Sequence, residues 1–444
     1  MKNMSVKDIL EYSGGTMQQP CPNKAVLGIV RDNREVAPGI IFAAIKGAKT
    51  DGHDYINSAY AAGAPCCIGT HVPEGTKAPV IVVPDVEAAL LKIAEKYRAK
   101  LSIPIIGITG SSGKTTTKEM TAAVLEQKYI TVKTEKNYNN SLGVPLTMFR
   151  IGKDTEAAVV ELGISHFGDM HEIGAVAAPD IAVFTNIGRS HTDNLQDQDG
   201  VLIAKTELLE HMPKCGTVII NADDKRLNSL VINQKKLSYG INSDADIKAE
   251  EIKALPGGGT SFVISGKIGT ISVSIPAYGR HLVYATLAAA AVAHELKMTA
   301  EQIKKGISAY CPEGSRARLI KAGDVLIIDD AYNANPDSMQ MSIASASALP
   351  GRFLCILGDM FGLGGDVEQQ HRECGEAAKK AGAMLLTVGE VSKCMGGMHF
   401  SCIEDLTEKL PELIMPGDKI LIKASHAMEF DKITDFLLKY YGNK

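Results

Sequence analysis

The chain has no tryptophan and only 5% aromatic residues, too little planar surface for a face that stacks sugars or unpaired bases. It also lacks an apolar run long enough to cross a bilayer. Its 47 Lys and Arg against 51 Asp and Glu give a formal net charge of −4. With no basic excess, neither nucleic acid nor an anionic membrane is an expected partner, although a local basic pocket for phosphate is still compatible with that balance. The start, Met1-Lys2-Asn3-Met4-Ser5-Val6-Lys7, has lysines but no sustained apolar core behind them, so no secretory signal is expected and the cytoplasm is the expected location. No C-x-x-C pair occurs among the nine scattered cysteines. That spacing and odd count fit reduced thiols rather than zinc or a disulfide framework.

What the chain does have is a phosphate loop. Residues 107–115, Gly-Ile-Thr-Gly-Ser-Ser-Gly-Lys-Thr, follow the apolar Ile103, Ile105 and Ile106 and open a helical stretch, Thr115 to Gln127. Glycines let backbone N–H groups turn inward around phosphate, and the helix start adds positive potential. Lys114 is placed to reach the outer phosphates and the Thr115 hydroxyl to ligate Mg2+. The expected ATP-binding residues are therefore Gly110, Ser111, Ser112, Gly113, Lys114, Thr115 and Thr116. The loop is a variant, because Ile108 stands where the usual spacing wants glycine.

With 444 residues and 45% hydrophobic content, the chain is long enough for three domains with full cores. Short β-like runs at 40–45 and 79–83 around a helical Tyr55–Gly63 predict a small α/β N-terminal domain, residues 1–83. A connecting helix follows from Pro84 to Leu101, with Val86, Leu90, Ile93 and Tyr97 at helical spacing. Apolar strands at 157–162, 181–185 and 217–221 alternate with helical stretches, predicting a central P-loop, mononucleotide-binding, parallel-sheet domain over 84–312. Residues 246–276 read as a β-hairpin insertion around Pro-Gly-Gly-Gly, before alanine-rich helices at 282–296 and 300–309. Beyond the linker Pro312-Glu313-Gly314-Ser315, strands at 325–328, 353–357, 385–388 and 419–423 and helices at 366–381 and 428–440 predict a Rossmann-like C-terminal domain, 313–444. Ligands in such sheets sit at the carboxyl ends of strands.

Glu161, His191 and Lys205 lie behind the loop and are candidates, with Thr115, for a Mg2+ site. Oxygen ligands suit that ion and histidine is less usual. Asn137, Asn139 and Asn140 crowd a turn that can contact phosphate and substrate polar atoms. Arg318 is a candidate charge clamp on a moving domain, and Asp330, at a strand end, a candidate acceptor for ribose hydroxyls. His166 and His171 are five residues apart with no third ligand nearby in sequence, which sets zinc aside. Gly358-Asp359-Met360-Phe361-Gly362-Leu363-Gly364-Gly365 fails the dinucleotide spacing.

Taken in order, Thr109 to Thr115 with Lys118-Glu119-Met120, Asn139 to Pro145, Glu161-Leu162-Gly163, Asp329 to Pro336 and Leu357 to Met360 resemble the Mur ligases of peptidoglycan synthesis. Asp32-Asn33-Arg34, Pro38-Gly39 and Asp51-Gly52-His53 are similar to that family's uridine-nucleotide segment, so the likeness spans nearly the whole chain. The resemblance implies a UDP-sugar domain, a central ATPase domain and a C-terminal domain that closes over the site, in an enzyme working as a monomer. It implies ATP and Mg2+, with UDP-N-acetylmuramoyl-tripeptide and D-alanyl-D-alanine joined through an acyl phosphate. Lys205 matches the family's carbamylated lysine, a modification that replaces an ammonium by oxygen ligands for the metal. Departures are Leu282 and Ala285 where asparagines near adenine are frequent, Asp193 for glutamate, Asn33 for serine, and Lys423-Ala424-Ser425-His426 for a Lys-Gly-Ser-Arg form.

Overall fold

Three sheets, of five, nine and six strands, follow one another along the chain. The computed structural model describes residues 1–255, 259–277, 279–312 and 314–442. The first sheet runs, in space, Thr16–Met17, Val80–Val82, Cys67–Gly69, Ile40–Ala43, Gly28–Val30, parallel except at the Thr16 edge. His53 pins this unit: its Nδ1 lies 2.6 Å from Asp51 Oδ1, and its Nε2 accepts the Thr70 N–H at 2.9 Å.

The central sheet runs Ile271–Ile275, Thr260–Gly266, Ile247–Ala254, Lys235–Gly240, Thr217–Asn221, Ile181–Phe184, Ile105–Thr109, Ala157–Glu161, Thr131–Lys133. Its last six strands are parallel. The expected hairpin insertion is instead three antiparallel strands that continue this sheet, because Ile247–Ala254 pairs in parallel with Lys235–Gly240. That linking strand escapes a sequence reading since its exposed end is Lys235-Lys236 and only Leu237 and Tyr239 supply the apolar alternation. Most of the Pro-Gly-Gly-Gly turn lies outside the described residues.

Behind the sheet, the helix Lys114–Leu125 is seated by two others. Ala288 to Ala291 of the helix Arg280–Glu295 are fully buried, and small side chains allow close approach. Gly306 of the helix Ala300–Ala309 presses so closely on Ala123 and Val124 that an added Cβ would meet their backbone. A Thr299 capping box with Gln302 starts that last helix.

The third sheet runs Arg318–Ala322, Val325–Asp329, Lys419–Lys423, Phe353–Gly358, Met384–Val388, Met398–Phe400, parallel but for its first edge strand. The helix Pro336–Ser347, unmarked by sequence periodicity, begins at an Asn335 capping box with proline in its first turn. Its buried positions mix Met339 and Ile343 with the polar Ser342, which blurs the apolar stripe.

The two junctions between these units differ. One continuous apolar cluster runs from Ile9, Ile41 and Ile81 through Leu90, Ile93 and Tyr97 of the helix Val86–Arg98 into Phe149, Val160 and Phe184 of the central unit. Arg98 closes the same seam, donating to the carbonyls of Ala177 and Ala178 and to Asp180. The two apolar clusters of the third unit contain only its own residues.

Candidate active site

The strand Ile105–Thr109 ends at Gly110, whose φ of +148° is a conformation open to glycine; a Cβ there would strike Thr185 Oγ1. Gly113, at φ +78°, turns the chain into the helix that Lys114 begins. This loop forms one wall of a cleft of about 650 Å³, a size suited to a nucleotide-sized ligand. Ser111 to Thr117, Asn137, Asn139, Asn140, Glu161 and His191 come from the central unit; Arg316, Asp330, Tyr332, Asn335 and Lys423 come from the third.

Within the cleft, Thr115 Oγ1 donates to Glu161 Oε2 at 2.8 Å and Asn139 Nδ2 to Glu161 Oε1 at 2.8 Å. The carboxylate is thus aimed by both the helix start and the asparagine turn. Asn140 turns its carbonyl oxygen back onto the Gly143 N–H, 2.9 Å. Lys114 Nζ reaches the Gly110 carbonyl at 2.7 Å, and burial, with Arg316 nearby, lowers its pKa against the pull of Glu161.

Lys205 lies in the helix Gln198–Thr206 and is 2% exposed. Among the described residues no hydrogen bond or ion pair holds its amine. Burial, reinforced by Lys114, pushes its pKa well below the ordinary lysine value, because both disfavour the charged form. His191 adopts a left-handed backbone, φ +59°. Burial and then the charges of Lys114 and Lys205 bring its pKa down to about 4, leaving a neutral ring at neutral pH.

Two sequence expectations are altered. Arg318 sits exposed on an edge strand opposite Asp329 and outside the cleft lining, since strand alternation turns it away. Arg316 is the linker arginine in the cleft, its guanidinium 3.6 Å from the Tyr332 ring centre, with Tyr332 in turn stacked on His426. Its only sequence signal is position, two residues before Arg318. Asp330 does line the cleft, but Oδ2 already takes Ser342 Oγ at 2.5 Å and Lys423 Nζ at 2.7 Å. Sequence reasoning also missed Tyr284, whose hydroxyl donates to Asp223 Oδ2 at 2.7 Å beside Ala285. Asp223 accepts from the backbone of Ile241, Asn242 and Ser243 as well, and these bonds outweigh burial to hold it at about 2.

A phosphate loop and an oriented carboxylate, facing groups delivered by a second lobe and accompanied by an uncompensated buried lysine outside the cleft lining, define a nucleoside-triphosphate-using enzyme with a two-lobed cleft. Family models for the Mur ligase middle domain, the Mur ligase glutamate ligase domain and the Mur ligase catalytic domain match residues 108–293, 315–426 and 26–98. The UDP-N-acetylmuramoyl-tripeptide--D-alanyl-D-alanine ligase of Bacillus subtilis is 34% identical over 99% of both chains, and that of Escherichia coli 32% identical over 91% of this chain and 92% of its own. Among solved structures, MurF from Acinetobacter baumannii superposes with a TM-score of 0.88 at 28% identity over 98% of each chain. MurF from Thermotoga maritima in complex with ADP gives 0.85 at 26% identity over 95% of this chain and 99% of its own. The chain belongs to the Mur ligase family.

Proposed function

We propose that this chain is an ATP-dependent amide ligase that adds D-alanyl-D-alanine to UDP-N-acetylmuramoyl-tripeptide in cytoplasmic peptidoglycan precursor synthesis. The observation that carries the reading is the convergence of Lys114, Thr115 and Glu161 on one cleft, with the unpaired Lys205 buried outside the cleft lining but within electrostatic reach of Lys114, in a chain at least 30% identical over nearly its full length to ligases of that name.

In the proposed division of labour, residues 1–83 hold the UDP-sugar, 84–312 hold ATP, and 313–444 close over ATP and the incoming dipeptide. The loop amides of Gly110 to Thr115 cradle the phosphates and Lys114 draws charge from the outer ones. The terminal carboxylate of the tripeptide attacks the γ-phosphorus, releasing ADP and leaving an acyl phosphate. The dipeptide amine then attacks that carbonyl and inorganic phosphate leaves with an amide formed. Positioning and screening of charge are the protein's main contribution to such a transfer. Arg316 provides a further cation from the second lobe.

The residues also fit Mg2+. Thr115 Oγ1 and Glu161 are oxygen donors 2.8 Å apart, and Mg2+ takes few protein ligands beside substrate phosphates and water. When bound it screens the phosphate charge and orients the γ-phosphate. His191, neutral at neutral pH and lining the same cleft, and Lys205 are the other members of the proposed ligand set. Lys205 as an ammonium would repel the ion, whereas its lowered pKa makes the uncharged amine easier to reach, and that is the form CO2 can convert to a carbamate, reversing the charge. Lys205→Ala should therefore lose at least roughly 100-fold in turnover and recover part of it with added short carboxylic acids; full activity without them would remove the lysine from the mechanism. Lys114→Ala should abolish ATP-dependent phosphate release, measured colorimetrically.

The deciding experiment supplies ATP, D-alanyl-D-alanine and UDP-N-acetylmuramoyl-tripeptide carrying an isotopically labelled terminal carboxylate. Label should appear in inorganic phosphate and the product mass should be that of the pentapeptide. Product without labelled phosphate excludes the acyl phosphate; no product with this pair, but product with another acid or amine, reassigns the substrate.

A further inference from the structure

The turn that carries His191 to the cleft also carries an arginine that grips the other lobe. Arg189 donates from its backbone N–H to Asp337 Oδ2 at 2.8 Å, and from Nε and Nη2 to Asp337 Oδ1 at 3.2 and 3.1 Å. Nη1 reaches Glu373 Oε2 at 2.8 Å. Asp337 and Glu373 belong to different helices of the third unit, Pro336–Ser347 and Val367–Lys380, so one side chain bridges both. Their charges more than offset the burial of the guanidinium and raise its pKa. Immediately before it, Gly188 exchanges two hydrogen bonds with Ser111 of the phosphate loop, N–H to Oγ at 2.8 Å and Oγ–H to carbonyl at 3.2 Å. Two consecutive residues, Gly188 and Arg189, therefore hold the loop and the lobe.

We propose that Arg189 is a positioning residue: its clasp on Asp337 and Glu373 holds the C-terminal lobe closed against the phosphate loop, so that a filled loop and a closed lobe favour each other. Among the described residues no apolar cluster spans this junction, so polar contacts carry the alignment, and an arginine held by two carboxylates makes the most charge-assisted bonds of them. Arg189 is not among the residues that line the cleft. Removing it lowers the population of the closed form, which raises the apparent dissociation constant of a ligand needing closure while leaving the chemistry of the closed form intact.

The proposal rests on the ligase reading for its turnover arm only. In full-length protein, Arg189→Ala should raise KM for ATP roughly 10- to 100-fold, with kcat at saturating ATP within about threefold of wild type. Arg189→Lys should recover part of the KM, since one ionic contact survives, and Glu373→Gln should give a smaller rise. Small-angle scattering with a non-hydrolysable ATP analogue should show compaction of the wild type and weaker compaction of Arg189→Ala at the same analogue concentration. Equal compaction of the two, or a fall in kcat with KM unchanged, would overturn the clasp. A wild type that compacts but makes no amide product would defeat the substrate assignment and leave the clasp standing.

Discussion

The two interdomain junctions are built from opposite materials. Between the first and central units, Tyr97, Ile93 and Phe149 belong to one apolar cluster, sealed by Arg98 on helix-end carbonyls. Between the central and third units, the contacts are Arg189 on Asp337 and Glu373, Ser190 on Asn335 at 2.5 Å, and Thr192 on Gly364 at 3.0 Å. Apolar burial is lost all at once when opened, whereas each polar contact exchanges with water at small net cost. The difference is the one expected if the first two units behave as one body and the third is the part proposed to close around a ligand.

The largest expected effect comes from breaking the apolar junction. Tyr97 is fully buried, and its hydroxyl donates to the Ile151 carbonyl at 2.5 Å and accepts the Lys2 N–H at 2.7 Å. Tyr97→Ala should cost about 3–5 kcal/mol and, in calorimetry, move the first and central units together as a single transition. Two separate transitions would show that the seam does not unite them.

Acid sharpens the contrast next, because His191 sits at the polar junction. Its folded pKa of about 4 lies below the ordinary 6.5, so between these values the unfolded chain binds the extra proton and stability falls as pH drops, levelling below about 4. His191→Asn keeps a residue tolerant of the left-handed backbone and should flatten that slope by about 1–3 kcal/mol in urea titrations at stepped pH. An unchanged slope would place the acid sensitivity elsewhere.

Salt should give the smallest change. Raising NaCl from about 0.05 to about 0.5 M screens exposed and half-buried pairs, and should lower kcat/KM for ATP by roughly two- to fivefold beyond any drop seen in Arg189→Ala. The melting temperature of the fused body should move little. Equal salt responses in wild type and variant would mean that the clasp contributes nothing to closure.

The nucleotide half of the cleft was legible in the sequence because its chemistry is local. Gly110 to Thr116 are consecutive, and Glu161 marks the end of a strand with strong apolar character. The alternation of strands and helices likewise gave three α/β units. What escaped depends on chain segments far apart. Arg316 and Arg318 are equivalent in composition, and only the pairing of Arg318 with Asp329 decides which faces the cleft. Asp330 reads as a free carboxylate until Lys423 and Ser342 are placed on it. The continuation of the central sheet was hidden because Ile247–Ala254 looks the same whether it pairs with a neighbour or stands apart as an insertion. Lys205 carries no periodic signal of its isolation; that follows from the fold burying it without an acid.

Gly306 extends the catalytic unit well beyond the cleft. Val124, which it touches, lies ten residues along the helix from Lys114, about 15 Å at the helical rise. That rod is the mount on which the loop amides and Lys114 are fixed, and a single added methyl group at Gly306 would wedge it outward at the far end. Tilt at the base becomes displacement at the tip, so a substitution at Gly306, far from the cleft, is expected to shift Lys114 and the loop amides.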